Sequence, residues 1–310
     1  MKLLSFIIPC YRSEQTIEKV IKEIIETVES HSGYNYEIIA INDCSPDRVF
    51  DVLQTVAQRN KRVKVICFTK NMGKDAAILA GYRVAKGDYL INLDDDCQCP
   101  VNNLWKLLEP VENNECDCAT AKYRLKRESL FKRMGSRLNA YMAHILLDLP
   151  KSIRMENFTV IKAFVAKEVI SYKNPYPYLD GLILRVTTRI RCIEMDERTR
   201  GDGNKSGFTI KKSLHMFFNG MTSFSVKPLR IATVCGLLFA SIGLLYGLFT
   251  IIQHFVDPTV PEGYSSIMAV ILLSSGLIML MLGVVGEYLG RIYVCMNESP
   301  QYVIRETVNL

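Results

Sequence analysis

The first glycine of this 310-residue chain is Gly33. A G-x-G-x-x-G loop therefore cannot follow the opening apolar run Leu3 to Ile8, and no G-x4-G-K-[ST] occurs at any position. Both absences argue against dinucleotide and P-loop enzymes, which cradle phosphates on such loops at a helix N-terminus. They also weaken a nucleotidyltransferase reading, because those enzymes bring a glycine-rich loop after their first strand. Zinc spacing is missing as well. Cys97 with Cys99 and Cys116 with Cys118 form C-x-C pairs, whereas zinc sites favour C-x2-C. The N-terminus MKLLSFIIPC carries one Lys ahead of a short apolar run and lacks a small-residue cleavage site. It reads as a first strand and not as a signal peptide, so the thiols are expected to be free packing residues in a reducing compartment.

The net charge of +6 suits nucleic acid and an anionic membrane equally well; its placement decides for the membrane and against nucleic acid. Formal charge is absent from two stretches, Ile231 to Gln253 and Ser265 to Gly286. Each has about the 20 residues needed to cross a bilayer core of roughly 30 Å. Lys211, Lys212, Lys227 and Arg230 precede the first stretch, Arg291 and Arg305 follow the second, and the connecting HFVDPTVPEGY has no Lys or Arg. Positive flanks stay inside, which predicts a transmembrane hairpin with the head and a short tail in the cytoplasm.

Within the head, apolar runs at Leu3 to Ile8, Glu37 to Asn42, Val63 to Phe68 and Tyr89 to Leu93 alternate with helical periodicity. Ile17, Val20, Ile21, Ile24, Ile25 and Val28 give the first helix one apolar face. This βαβα order predicts a mostly parallel sheet with helices on both faces and a ligand crevice at the carboxyl ends of its strands. Pro9 and Tyr11, Asp43 and Ser45, Lys70 and Asn71, and Asp94 and Asp96 each follow one of those strands. Any one pair suits an ordinary turn, but four at one sheet edge make a site. Asp94, Asp95 and Asp96 repel one another unless a cation compensates them. Hard oxygen ligands select Mg2+ or Mn2+, which keep positions for substrate phosphate oxygens.

The segments SFIIPCYRSEQTI, EIIAINDCSPD, KNMGKDAAILAGYRVAKGDYLINLDDDCQCP and GEYLGRIY closely resemble the family 2 glycosyltransferases of the polyprenyl-phosphate type, which include dolichyl-phosphate mannose synthase. The resemblance covers nearly the whole chain. It implies a GT-A domain over residues 1–209, an amphipathic juxtamembrane helix over 210–227, and the hairpin with its tail over 228–310. It further implies an integral protein of the bacterial inner membrane that moves a sugar, expected from a UDP-sugar, to a polyprenyl phosphate with inversion.

Carried over by position, Pro9, Tyr11 and Asp43 line the base and ribose pocket, and Lys70, Asn71 and Gly73 join the donor site. Asp94 and Asp96 hold metal and diphosphate, and Gln98 supports the metal. Arg200, Lys205 and Ser206 in RTRGDGNKSGF match a phosphate-binding segment, although Arg198 competes with Arg200 for that alignment. Two departures stand out. Asn42-Asp43-Cys44-Ser45 replaces the usual Asp-Asp-Gly-Ser, and Asp96-Cys97-Gln98 replaces the frequent Asp-Leu-Gln. With Asp43 kept, altered donor preference is the expectation.

After the acidic cluster come Lys122, Arg124, Lys126, Arg127, Lys132, Arg133 and Arg137. Residues 130–149 add an apolar stripe at helical spacing, which suits either an interfacial helix or a core helix with a cationic face. Arg124 and Arg127 are the residues expected to orient a lipid phosphate. A phosphate acceptor needs no general base; a hydroxyl acceptor would, with Asp180 or Glu156 as candidates. The single tryptophan, Trp105, excludes the Q-x-x-R-W motif of processive synthases. A catalytically silent module that binds nucleotide sugar or recruits partners is the other reading, motivated by Asn42 and Cys44. The resemblance also allows a homo-oligomer through the anchors, with Gly236, Gly243 and Gly247 permitting close packing.

Overall fold

The computed structural model describes residues 1–123, 155–175, 177–196, 198, 227–256, 263–297 and 300–310. The chain divides into two compact units, Met1–His215 with Glu298–Leu310, and Met216–Asn297.

The first unit begins with three β–α repeats and a fourth strand: β1 (Lys2–Cys10), α1 (Ile17–Glu29), β2 (Tyr34–Asn42), α2 (Val49–Arg59), β3 (Val63–Phe68), α3 (Lys74–Val84) and β4 (Tyr89–Asn92). It continues with α4 (Leu104–Glu112), β5 (Cys118–Tyr123), β6 (Thr159–Lys162), α5 (Ala163–Val169), α6 (Leu179–Val186) and β7 (Ile190–Met195), and ends with β8 (Ile304–Val308). One eight-stranded sheet runs β7-β5-β6-β4-β1-β2-β3-β8. β4, β1, β2 and β3 are mutually parallel, while β6 and β8 run against their neighbours. The mostly parallel sheet is thus as expected.

Burial explains the elements. β2 buries its last seven residues without a break, as a central parallel strand covered on both faces does. α1 buries Ile17, Val20, Ile21, Ile24 and Val28, each contributing about 1.5–3 kcal/mol. α3 lies flush on β1 because Gly81 has no side chain: a Cβ there would collide with Ile7 Cγ2 and sit 3.1 Å from Ile41 Cδ1.

β8 was not foreseen. The sequence reading grouped residues 228–310 as hairpin and tail, but Ile304–Val308 pairs with β3 in the first unit, Val65 opposite Val308 and Cys67 opposite Glu306. Side chains secure this return. Asn309 Nδ2 donates to Ala57 O (2.7 Å) and Val63 O (2.9 Å), Gln301 Nε2 donates to Tyr172 O (2.9 Å) and Asn174 O (2.8 Å), and Tyr302 stacks on Phe68.

The second unit contains α7 (Lys227–Val256) and α8 (Tyr264–Met296). The two expected spans lie inside these helices. Among the described residues, one stretch, Leu273–Met296, is long and apolar enough to cross a membrane, and Ala232–Gly243 is a shorter apolar helical stretch. The longer stretch runs past the expected end at Gly286 because α8 continues unbroken through Glu287. Leu237, Leu245, Leu273, Met279, Leu280 and Leu282 are each at least 60% exposed, a surface that water does not favour.

Gly81→Ala is expected to lower stability by about 1–3 kcal/mol through overpacking against Ile7, read as a reduced thermal or urea midpoint of the purified protein.

Candidate active site

Strand order reverses at β1: β2 and β3 lie on one side of it and β4 on the other. A ligand crevice is expected outside the carboxyl ends of the strands at such a switch point. The loops after β1, β2, β3 and β4 all open there, since Cys10 pairs with Asn42, Asn42 with Cys67, and Ile7 with Asn92.

Hydrogen bonds staple these loops together. Arg12 N donates to Ser45 Oγ (2.7 Å), Glu14 N to Asp47 Oδ2 (3.0 Å), and Arg48 N to Glu14 Oε2 (2.9 Å). Arg12, Cys44 and Cys97 hold left-handed backbone at φ 59°, 49° and 62°, each costing about 1 kcal/mol or more for a non-glycine residue. The three lie just beyond the ends of β1, β2 and β4. Cys44 thus keeps the backbone that glycine adopts readily. Asn42 is buried and its Oδ1 accepts from Ser45 N (3.0 Å), so it holds the same turn from within.

Asp43 is buried and accepts from Met72 N (2.7 Å) and Gly73 N (2.9 Å). Burial pushes its carboxyl above the usual range against the pull of those two amides. Asp43 therefore ties the loop after β3 to the end of β2. Gly73, at φ 88°, turns that loop into α3, and Lys70 and Asn71 stand exposed on it. Pro9 is half-buried and Tyr11 is 43% exposed at the other side of β2.

The three carboxylates after β4 have three different surroundings. Asp94 Oδ1 accepts from Lys74 Nζ at 2.5 Å, and its Oδ2 accepts from Asn157 Nδ2. Asp95 accepts from Tyr11 N (2.9 Å), and its own carbonyl accepts from Thr16 Oγ1 (2.6 Å). Burial, with the adjacent charges of Asp94 and Asp96, pushes the Asp95 carboxyl up to about 6. Asp96 Oδ1 accepts from Gln98 N (3.1 Å). Gln98 Nε2 reaches Arg198 O at 3.5 Å, and the Arg198 guanidinium is engaged by Glu23 (2.6 Å) and Asn102 (2.9 Å). Sequence reasoning singled out neither Lys74 nor the side chain of Asn157; both lie next to residues it did name.

Among the described residues no group of three or more His, Cys, Asp and Glu side chains is arranged to hold a metal. Two carboxylates suffice for Mg2+, which is held by one or two carboxylates with substrate phosphates and water completing the octahedron. Asp94 and Asp96, two hard oxygen donors two residues apart just after β4, have the chemistry to hold such an ion.

Asp180 and Asp75 lie in the first turns of α6 and α3, and Asp75 Oδ2 accepts from Leu179 N at 3.4 Å. Burial first, and then the charge of Asp75, pushes the Asp180 carboxyl up to about 7, while Lys74 pulls it down. Glu156 is tied through its backbone to Thr120 Oγ1 (3.0 Å) at the end of β5–β6 pairing. Arg124, Arg127, Arg200, Lys205 and Ser206 lie outside the described residues.

Residues 5–170 match the family model for glycosyl transferase family 2, and residues 227–292 match that of the GtrB C-terminal hairpin. A Bacillus subtilis (strain 168) protein named uncharacterized glycosyltransferase YkcC is 29% identical over 309 residues, covering 99% of this chain and 94% of that one. The prophage bactoprenol glucosyl transferase homolog of Escherichia coli (strain K12) is 29% identical over 305 residues, covering 97% and 98%. Glucosyl-3-phosphoglycerate synthase from Mycobacterium tuberculosis, solved with Mn2+ and UDP-glucose, superposes with a TM-score of 0.53 at 15% identity over 71% of this chain and 77% of that one. At that identity the likeness is one of fold.

The pH response of Asp180 follows from its surroundings. A raised carboxyl favours the folded state in its protonated form, so its contribution is complete below the unfolded value of about 4 and is lost as pH rises through about 7. Asp180→Asn should therefore raise the thermal midpoint relative to the parent at about pH 8, and the difference should vanish towards pH 4.

Proposed function

The chain belongs to glycosyl transferase family 2, whose model matches just over half of its residues, and we propose that it moves a sugar from a UDP-sugar to a polyprenyl phosphate in the adjacent bilayer, with inversion. The product would be a lipid-linked sugar for cell-surface glycan assembly. The observation that carries this reading is the pair Asp94 and Asp96 at the switch of strand order, in a chain that also has long exposed apolar helices. Relatives aligned along almost their whole length, among them the bactoprenol glucosyl transferase of Shigella phage SfV, support the acceptor class.

On this reading Tyr11 and Asp43 face the base and ribose, while the loop carrying Lys70, Asn71 and Gly73 flanks the phosphates. A divalent ion, Mg2+ or Mn2+, on Asp94 and Asp96 would neutralise the departing diphosphate. Asp94 is oriented by Lys74 and Asn157, and Asp96 by the Gln98 amide, so both carboxylates are set before the donor arrives. Arg124 and Arg127 would orient the lipid phosphate, with Arg200, Lys205 and Ser206 as further phosphate partners. The phosphate oxygen is already anionic near neutral pH, so in-line attack on the anomeric carbon needs no base, and neither Asp180 nor Glu156 is given that role. A single displacement inverts the configuration.

α7 and α8 would form the transmembrane hairpin, with the head on the cytoplasmic face of a bacterial inner membrane as the basic flanks favour. A Cβ at Gly236 in α7 would lie 3.2 Å from Met281 Cε in α8, so that position is used within the chain. Gly243 has nothing within 4 Å and is the better site for contact with a second copy.

Asp96→Ala should abolish metal-dependent transfer of radiolabelled sugar into a chloroform-soluble product, while the protein stays folded and membrane-bound. Retained turnover would remove Asp96 from the site, and a parent protein inactive with every UDP- and GDP-sugar would count against the activity as a whole.

A further inference from the structure

Lys74 is the one cation seen in contact with the acidic cluster among the described residues, and its geometry gives it a defined task. Its ammonium lies 2.5 Å from Asp94 Oδ1, with the two side chains 38% and 22% exposed. Such a charge-assisted contact, partly screened from water, is stronger than an open surface pair. Asn157 occupies the other oxygen of Asp94. Both oxygens of a carboxylate proposed to bind metal thus already have donors. A divalent ion and an ammonium compete for Oδ1, since a metal such as Mg2+ must approach to about 2 Å and two positive charges on one oxygen repel each other strongly.

We infer that Lys74 is a built-in counter-cation of the donor site, which holds Asp94 while no donor is bound and must release it for a divalent ion to enter. The inference rests on the reading of Asp94 and Asp96 as the metal carboxylates. It fixes an order. A free metal ion would have to break the Lys74–Asp94 pair and leave an uncompensated ammonium beside itself. A metal–nucleoside diphosphate complex brings anionic oxygens that accept the displaced ammonium, so metal and diphosphate enter together.

The surroundings allow the exchange at small structural cost. The backbone of Lys74 is fixed, because Asp43 holds the amides of Met72 and Gly73 and α3 begins at Lys74 itself. Only the flexible four-carbon stem has to swing.

The test is Mn2+ binding to the purified full-length protein, followed by loss of the free-ion electron paramagnetic resonance signal, with and without UDP. Without nucleotide, Lys74→Met should bind Mn2+ about five- to tenfold more tightly than the parent, whereas Lys74→Arg, which keeps the charge, should not. Saturating UDP should narrow the difference. Thermal unfolding checks that the variants are folded, and Lys74→Gln replaces Lys74→Met if the latter is not. If the neutral variant binds Mn2+ no more tightly without UDP, while parent and variant both bind it with UDP, the counter-cation role is wrong and the metal site stands. If neither protein binds Mn2+ under either condition, the metal reading and this inference fall together.

Discussion

Three consecutive carboxylates at the end of one strand repel each other, and the crevice is built around giving each a different counterpart. Asp94 takes a lysine and an asparagine, Asp96 an amide two residues on, and Asp95 the amide of Tyr11 from across the switch point. Asp95 also departs in protonation, since burial and its two neighbours push it up to about 6. The triplet is therefore not one chemical unit. Its middle member ties the loop after β4 to the end of β1 through Tyr11 N, and on the proposed reading the outer two serve the metal and diphosphate.

The same logic extends to the loops. Asp43 spends both oxygens on backbone amides of the loop after β3, which places Gly73 and hence Lys74. Arg12, Cys44 and Cys97, each in left-handed backbone, bend the chain after β1, β2 and β4. Strain of about 1 kcal/mol or more at each persists because the surrounding bonds over-determine it. Cys44 shows how a departure from the family pattern is absorbed: the side chain changes and the backbone conformation stays. What changes is the side chain, a thiol that stands exposed just beyond the end of β2.

The parts of the fold that a short-range pattern encodes were legible. Apolar runs marked β1 to β4, and three-and-four spacing marked the buried face of α1, with Ile25 turning out only partly buried. β8 was not legible, because IRETV is a five-residue edge strand whose place is set by pairing with β3 some 240 residues earlier. At the site, turn-like polar clusters pointed to Asp43, Asp94 and Asp96. They could not point to Lys74, whose meaning depends on Gly73 turning the chain so that the next side chain meets Asp94. Nor could they reveal that Asp75 acts on Asp180, because the first turns of α3 and α6 come together only in the fold, with Leu179 N donating to Asp75 Oδ2 at 3.4 Å.

Charge balance connects the two halves of the proposed reaction. A nucleoside diphosphate and a lipid phosphate both bring negative charge to a crevice that already holds Asp43, Asp94 and Asp96, and two anions do not approach each other for in-line attack unless cations lie between or beside them. One divalent ion held by Asp94 and Asp96 would compensate the diphosphate, and Lys74 would be neutralised by whichever anion it faces. Neither is left over for the acceptor. On the proposed reading that burden falls on the basic run from Lys122 to Arg137, which begins in β5. Lys122 itself faces Glu194 on β7 at 3.0 Å, and Arg124 and Arg127 remain the residues proposed to orient the lipid phosphate.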